Sequence, residues 1–146
     1  MIAEGEPFAV VIPTRNRPAQ LHRLLDSLAE QTLREYHVVI VDQSDDVDAE
    51  LERRADHDAR LHLVRDEGRG ASRARNVGWQ AVAADWIAYL DDDCIPERDW
   101  IAALASEIGS NPDADLIMGN VDARNAPGGD YLPVAVSALP HETSYY

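Results

Sequence analysis

Lysine is absent from this chain: all 13 basic residues among its 146 are arginine. Without lysine there is no phosphate-gripping lysine of the Walker type, and no late lysine of the kind receiver domains use. The guanidinium fork still suits phosphate, because it can bind two oxygens at once. Cysteine is nearly absent too. Cys94 stands alone, so no internal disulfide can form, and a reduced, cytoplasmic setting is expected. No stretch approaches the roughly 20 apolar residues a membrane span needs, so no membrane anchor is expected. The opening segment, MIAEGEPFAVVIP, is acidic, and its apolar run is too short for a signal peptide. Positive charge is in deficit. The formal net charge is −14 and the isoelectric point about 4.5. Such a surface repels nucleic acid and anionic membranes, and it attracts divalent cations.

What is present is a soluble, globular composition, with 45% apolar and 27% charged residues. The length suits one domain over residues 1–146. Phe8 to Ile12 is a short β-branched run that reads as a buried strand. Pro18 opens a helix whose Leu21, Leu24, Leu25 and Leu28 share one face. Tyr36 to Val41 is a second buried strand, ending at Asp42. A polar loop and a short solvated helix follow. Leu61 to Val64 is a third, weaker strand. Gly68 and Gly70 break the chain before a helix from Ala71 to Ala83, with Ala74, Val77 and Ala81 on one face. Trp86 to Leu90 is a fourth strand. Pro96 is expected to open a helix with Trp100, Ile101, Leu104 and Ile108 inward, stopped by Gly109. Leu116 to Val121 is a fifth strand. The alternation predicts an α/β fold in three layers, α/β/α, around a mainly parallel sheet. Continuous apolar strands support burial on both faces. Residues 125–146, rich in Pro and Gly, read as irregular. An unfinished sheet leaves an edge and an apolar flank, from which a homo-oligomer is expected.

Ligands of open α/β sheets bind outside the carboxyl ends of the strands. The polar clusters fall there: PTRNRP (residues 13–18) after strand one, Asp42, Gln43 and Ser44 after strand two, and Asp91, Asp92 and Asp93 after strand four. The Gly70 turn brings Ser72, Arg73, Arg75 and Asn76 to the same rim. Hard oxygen ligands on a rigid strand end suit Mg²⁺ or Mn²⁺. Two or three carboxylates cannot fill an octahedron, which leaves positions for water and substrate phosphates. Arginines at a helix N-terminus favour an anion. The pieces read as a metal bridging a diphosphate.

Other candidates are weaker. Cys94 beside the carboxylates reads as a small buried hydrophobe. The five histidines form no ligand pair, and HETSY at His141 lacks the second histidine of a zinc helix. The segment DDVDAELERRADHD lacks the glycine and the final glutamate of a calcium loop.

Four segments carry a family resemblance: VVIPTRNRP, HVVIVDQSDD, GRGASRARNVGW and WIAYLDDDCIP. Over about residues 7–121 the chain resembles the nucleotide-diphospho-sugar transferases of the GT-A (Rossmann-like) fold, specifically glycosyltransferase family 2. The resemblance implies a metal-dependent glycosyltransferase, with Mn²⁺ or Mg²⁺ as cofactor and a UDP-, GDP- or dTDP-sugar as donor. It implies that Pro13, Thr14 and Arg15 lie near the nucleotide base, and that Asp42 bonds the base or holds the loop that does. Arg73 or Arg75 would approach the diphosphate. Asp91 and Asp93 would form the DxD pair, with Asp93 the direct metal ligand and Asp92 reaching the ribose or a metal-bound water. Gln43 departs from the paired acids of many members. The family places its acceptor-binding half, and the general base of inverting members, beyond the fifth strand. Asp130 and Glu142 lie downstream without motif context. The chain therefore reads as truncated after the nucleotide-binding half, with the catalytic base outside it. Donor binding without efficient transfer to the unknown acceptor is expected. A nucleotidyltransferase would want a glycine-rich loop after strand one, which PTRNRP is not. A non-catalytic receiver or nucleotide-binding module would want an acidic pair there.

Overall fold

A computed structural model describes residues 8–120 and the backbone of residues 133–137. The elements run β1 (Phe8–Thr14), α1 (Pro18–Ala29), β2 (His37–Asp42), α2 (Ala49–His57), β3 (Leu61–Arg65), α3 (Ala71–Gln80), β4 (Trp86–Tyr89), α4 (Trp100–Ser110), β5 (Leu116–Asn120) and β6 (Pro133–Ser137). They form one six-stranded sheet in the order β3-β2-β1-β4-β6-β5. The first four strands of that order are parallel, and β6 runs antiparallel to both β4 and β5. The expected α/β fold with a mainly parallel sheet is observed. The stretch expected to be irregular contributes β6, so that expectation is corrected there. Asp130, His141 and Glu142 lie outside the described residues.

Alternate residues of β1 face opposite sides, as strand geometry requires. Val10 and Ile12 join Leu21, Leu24, Leu25 and Leu28 of α1, Leu51 of α2, and Ile101 and Leu104 of α4 in one core. Ala9 and Val11 join Val39, Val41 and Ala74 of α3 in the other. The layers are thus α1, α2 and α4, then the sheet, then α3. The α3 layer sits close because Gly78 has no side chain. A Cβ there would collide with Val11 Cγ1 and lie 3.2 Å from Val41 Cγ2. Gly70, at the N-cap of α3, has φ 105°, a backbone conformation that only glycine adopts without strain.

Three helix boundaries differ from expectation. The third helix ends at Gln80 rather than Ala83, because Val82 and Ala84 tuck under the sheet beside Ile87. Pro96 does not open α4, which begins at Trp100. The segment before it is held by Gln31, which is 1% exposed. Its amide donates to the Glu97 carbonyl at 2.6 Å, and its carbonyl accepts from the Ile101 N–H at 3.0 Å. Gln31 thereby caps the first turn of α4 from another element, while Asp99 at the N-cap provides no side-chain bond. Gly109 does not stop the helix either. Ser110 Oγ and Asn111 Nδ2 donate to the carbonyls of Ser106 and Glu107, satisfying the last turn.

Candidate functional site

The acidic triplet begins two residues after β4. Leu90 bonds back to Val11 at 3.1 Å, and the Cys94 N–H donates to the Asp91 carbonyl at 3.1 Å, which closes a turn. That turn sorts the three carboxylates. Asp92 is buried at 5% exposure. Asp91 and Asp93 project outward, with side chains 60% and 58% exposed. Asp92 is held on both oxygens: Thr14 Oγ1 donates to Oδ2 at 2.8 Å, and Arg17 Nη1 to Oδ1 at 3.2 Å. Arg17 also lies 3.4 Å from Asp93 Oδ2. Arg75 Nη2 donates to Asp91 Oδ1 at 2.7 Å. Strand β1, the start of α1 and the helix α3 therefore all meet the end of β4. Arg17 lay inside the PTRNRP cluster but had no role of its own assigned from the sequence. Its signal was a cation directly before Pro18, where a helix N-terminus prefers an acid or a hydroxyl.

Cys94 packs against the α1-side core, and burial, then the neighbouring Asp93 and Asp91, push its thiol up. The donors available at the turn are carboxylate oxygens, the chemistry that hard divalent cations prefer. Among the described residues no three His, Cys, Asp or Glu side chains are grouped to close around an ion. Two exposed carboxylates with open positions fit an ion that also takes oxygens from water and a ligand.

At the end of β2, Asp42 is 2% exposed. It accepts from the Ser44 N–H at 2.8 Å and pairs with Arg65 at the end of β3. In this arrangement it holds the loop after β2. Arg65 went unnoticed in the sequence, because its partner is 23 positions away. The same loop is tied to the one after β1. Asn16, with φ 55°, donates through Nδ2 to Asp45 at 2.8 Å, accepts from the Asp45 N–H at 3.0 Å, and its own N–H donates to Ser44 Oγ at 2.8 Å. Arg15 lies 3.5 Å from Asp45, while Pro13 sits inside β1 opposite Val41. A cleft of about 560 Å³ opens at these strand ends, with Thr14, Asn16, Asp42, Ser44, Asp48 and Leu51 in its walls. Asp91, Asp92 and Asp93 are not among those walls.

Arg73 and Arg75 differ in placement. Arg73 grips Asp66, with Nη2 2.8 Å from Oδ1 and Nε 3.0 Å from Oδ2. Gln43 Nε2 also donates to Asp66 at 2.8 Å. Arg73 first, then Gln43, hold the Asp66 carboxyl at about 2. The Gln43 departure thus has a local use: its amide reaches the acid after β3. Arg75, and not Arg73, stands at the acidic turn.

The model described as Glycosyl transferase family 2 matches residues 9–143. The chain belongs to glycosyl transferase family 2. It is 33% identical over 129 residues to glycosyltransferase AglE of Haloferax volcanii, covering 84% of this chain and 42% of that one. It is 33% identical over 122 residues to a PGL/p-HBAD biosynthesis glycosyltransferase of Mycobacterium bovis, covering 81% and 48%. The family 2 chain thus spans less than half the length of these curated relatives. Among solved structures, S. aureus TarS 1-349 in complex with UDP-GlcNAc superposes with a TM-score of 0.67 at 26% identity, covering 82% of this chain and 36% of that one. The mannosyltransferase PcManGT from Pyrobaculum calidifontis, in complex with GDP-Man and Mn²⁺, shares the fold with a TM-score of 0.67 at 24% identity, covering 75% and 34%. The fold is GT-A.

Proposed function

We propose that this chain is the donor-binding part of a metal-dependent, inverting glycosyltransferase that takes a nucleotide-diphosphate sugar. The observation that carries the reading is the turn after β4: Asp92 locked inward by Thr14, with Asp91 and Asp93 outward beside arginines from two helices. The complex of TarS with UDP-GlcNAc supports a UDP-sugar as one donor to test. Asp91 and Asp93 would hold a Mn²⁺ or Mg²⁺ ion, which when bound offsets negative charge on the departing nucleoside diphosphate. Arg75, 2.7 Å from Asp91, would meet the same phosphates. Thr14, with Asn16 and Ser44, shapes the strand-end cleft for the nucleoside, with Pro13 and Arg15 beside it. Asp42 supports that cleft through the Ser44 loop. Arg73 holds Asp66 and steadies the start of α3. Deprotonating an acceptor hydroxyl needs a positioned base. Asp91 and Asp93 are assigned to the metal and Asp92 is buried, so the base belongs elsewhere and the acceptor is open. The reading includes a cytoplasmic setting, suited by the single cysteine. It also includes self-association along β5, an edge strand on which Leu116 and Met118 are exposed. Light scattering tests the last point.

The test is thermal stabilisation of the chain by UDP, GDP and dTDP sugars, with and without Mn²⁺ or Mg²⁺. One nucleotide class should raise Tm in a metal-dependent way. Indifference to every nucleotide, or to metal, contradicts the proposal.

A further inference from the structure

Each of the three carboxylates after β4 already touches an arginine. Arg17 Nη1 spans Asp92 at 3.2 Å and Asp93 at 3.4 Å, and Arg75 Nη2 meets Asp91 at 2.7 Å. The two cations come from opposite layers of the fold. Arg17 is the N-cap of α1, and Arg75 lies in α3. Arg17 sits where a cation is locally unfavourable. The helix dipole is positive at that end, and the residue makes no capping bond. Asp92 and Asp93 offset that cost. A residue that conflicts with its local rule and is satisfied only at a strand-end site is a mark of function. The ion pairs with Asp91 and Asp93 are partly open to water, with the arginine side chains 34% and 53% exposed and the aspartate side chains 60% and 58% exposed. Exposed pairs are weak and easily exchanged. The buried Thr14–Asp92 bond is not of that kind.

We infer that Arg17 and Arg75 are resident counter-cations of the acidic turn. They neutralise it before a divalent cation arrives and compete with that cation for Asp93 and Asp91. The inference rests on the reading that those two carboxylates receive the cation. A cation arriving alone must displace both guanidiniums and then face their repulsion. A cation arriving with a diphosphate gives the displaced guanidiniums new anionic partners. Bare metal binding is therefore weak, and metal and nucleotide strengthen each other by the same factor. Arg17 is a positioning residue here, acting through the carboxylates.

The test is titration of Mn²⁺ alone into the 146-residue chain, followed by electron paramagnetic resonance of the free ion. Arg17→Gln and Arg75→Gln should each tighten bare Mn²⁺ binding by about fivefold, the scale of one unit-charge pair a few ångströms apart in water. Arg17→Lys should show no such gain. Adding UDP should strengthen Mn²⁺ binding less in the glutamine variants than in the wild type. Adding Asp93→Asn to Arg17→Gln should remove the gain. Circular dichroism verifies the fold of each variant, and the two arginines test the idea independently from two layers. Wild type that binds Mn²⁺, with variants equal to it or weaker, overturns the counter-cation role alone. Absence of bare Mn²⁺ binding in wild type and in the Arg17→Gln/Arg75→Gln double variant overturns the counter-cation role, whereas the metal reading falls only if Mn²⁺ also leaves UDP binding unchanged. Binding by the double variant and not by wild type supports both.

Discussion

Thr14→Val removes one hydroxyl and keeps the shape of the side chain. In the folded chain Thr14 and Asp92 are 6% and 5% exposed, so water cannot replace the lost donor. The bond is 2.8 Å long and joins residues 78 positions apart, so it fastens β1 to the turn after β4. A hydrogen bond to a charged group contributes about 1.5–3 kcal/mol, and leaving a buried acceptor unpaired costs a similar amount. Arg17 still serves the other oxygen of Asp92, which favours the lower half of that range. The expected loss is about 2 kcal/mol, which for a chain of this length lowers Tm by roughly 4–8 °C. Differential scanning calorimetry measures it. Thr14→Ser keeps the hydroxyl and should lose only about 1 kcal/mol, the worth of one buried methyl group. Equal losses for Ser and Val, or an unchanged Tm for Val, would refute the view that Thr14 anchors Asp92.

Gly78→Ala gains helix propensity but drives a methyl into Val11, so a net loss of about 1–2 kcal/mol is expected, read from urea midpoints. Gln31→Leu leaves the Ile101 N–H unpaired and the Glu97 carbonyl with only the Trp100 N–H as donor, at a cost of about 1–3 kcal/mol, and the Ile101 amide should lose hydrogen-exchange protection. The Asp66 carboxyl is depressed to about 2, so the native state holds fewer protons than the unfolded chain between about pH 4 and that value. Its contribution is therefore fully present above about pH 4 and lost as pH falls toward about 2. In Asp66→Asn that part of the acid-denaturation profile should flatten, and an unchanged profile would count against the pairing with Arg73.

The sheet was readable because its strands are short β-branched runs that each end in polar residues. FAVVI and HVVIVD contain few residues that could be anything but buried strand. The acidic turn was readable for the same reason: three carboxylates after an apolar run are too costly to leave without a role. What was hidden depends on distant partners. Gln31 looks like an ordinary polar residue at the end of a helix, and only the fold shows that it caps α4. The delay from Pro96 to Trp100 follows from that bond. Strand β6 was missed because PVAVS is brief, begins with proline and lies among Gly and Pro residues. It pairs antiparallel between β4 and β5, a placement that local pattern cannot specify. Arg65 and Arg17 share one lesson. Arg65 looked like surface charge, Arg17 was one unassigned residue of the PTRNRP cluster, and each turned out to face an acid at a neighbouring strand end.

The central claim is that Asp91 and Asp93 bring a divalent cation and a nucleotide together. Calorimetric titration of UDP into wild type and Asp93→Ala, each with and without Mn²⁺, tests it most directly. The account predicts that Mn²⁺ strengthens UDP binding to wild type, and that Asp93→Ala, still folded because Asp93 is exposed, loses the metal effect. Metal-independent UDP binding in wild type, or a full metal effect in Asp93→Ala, would contradict it.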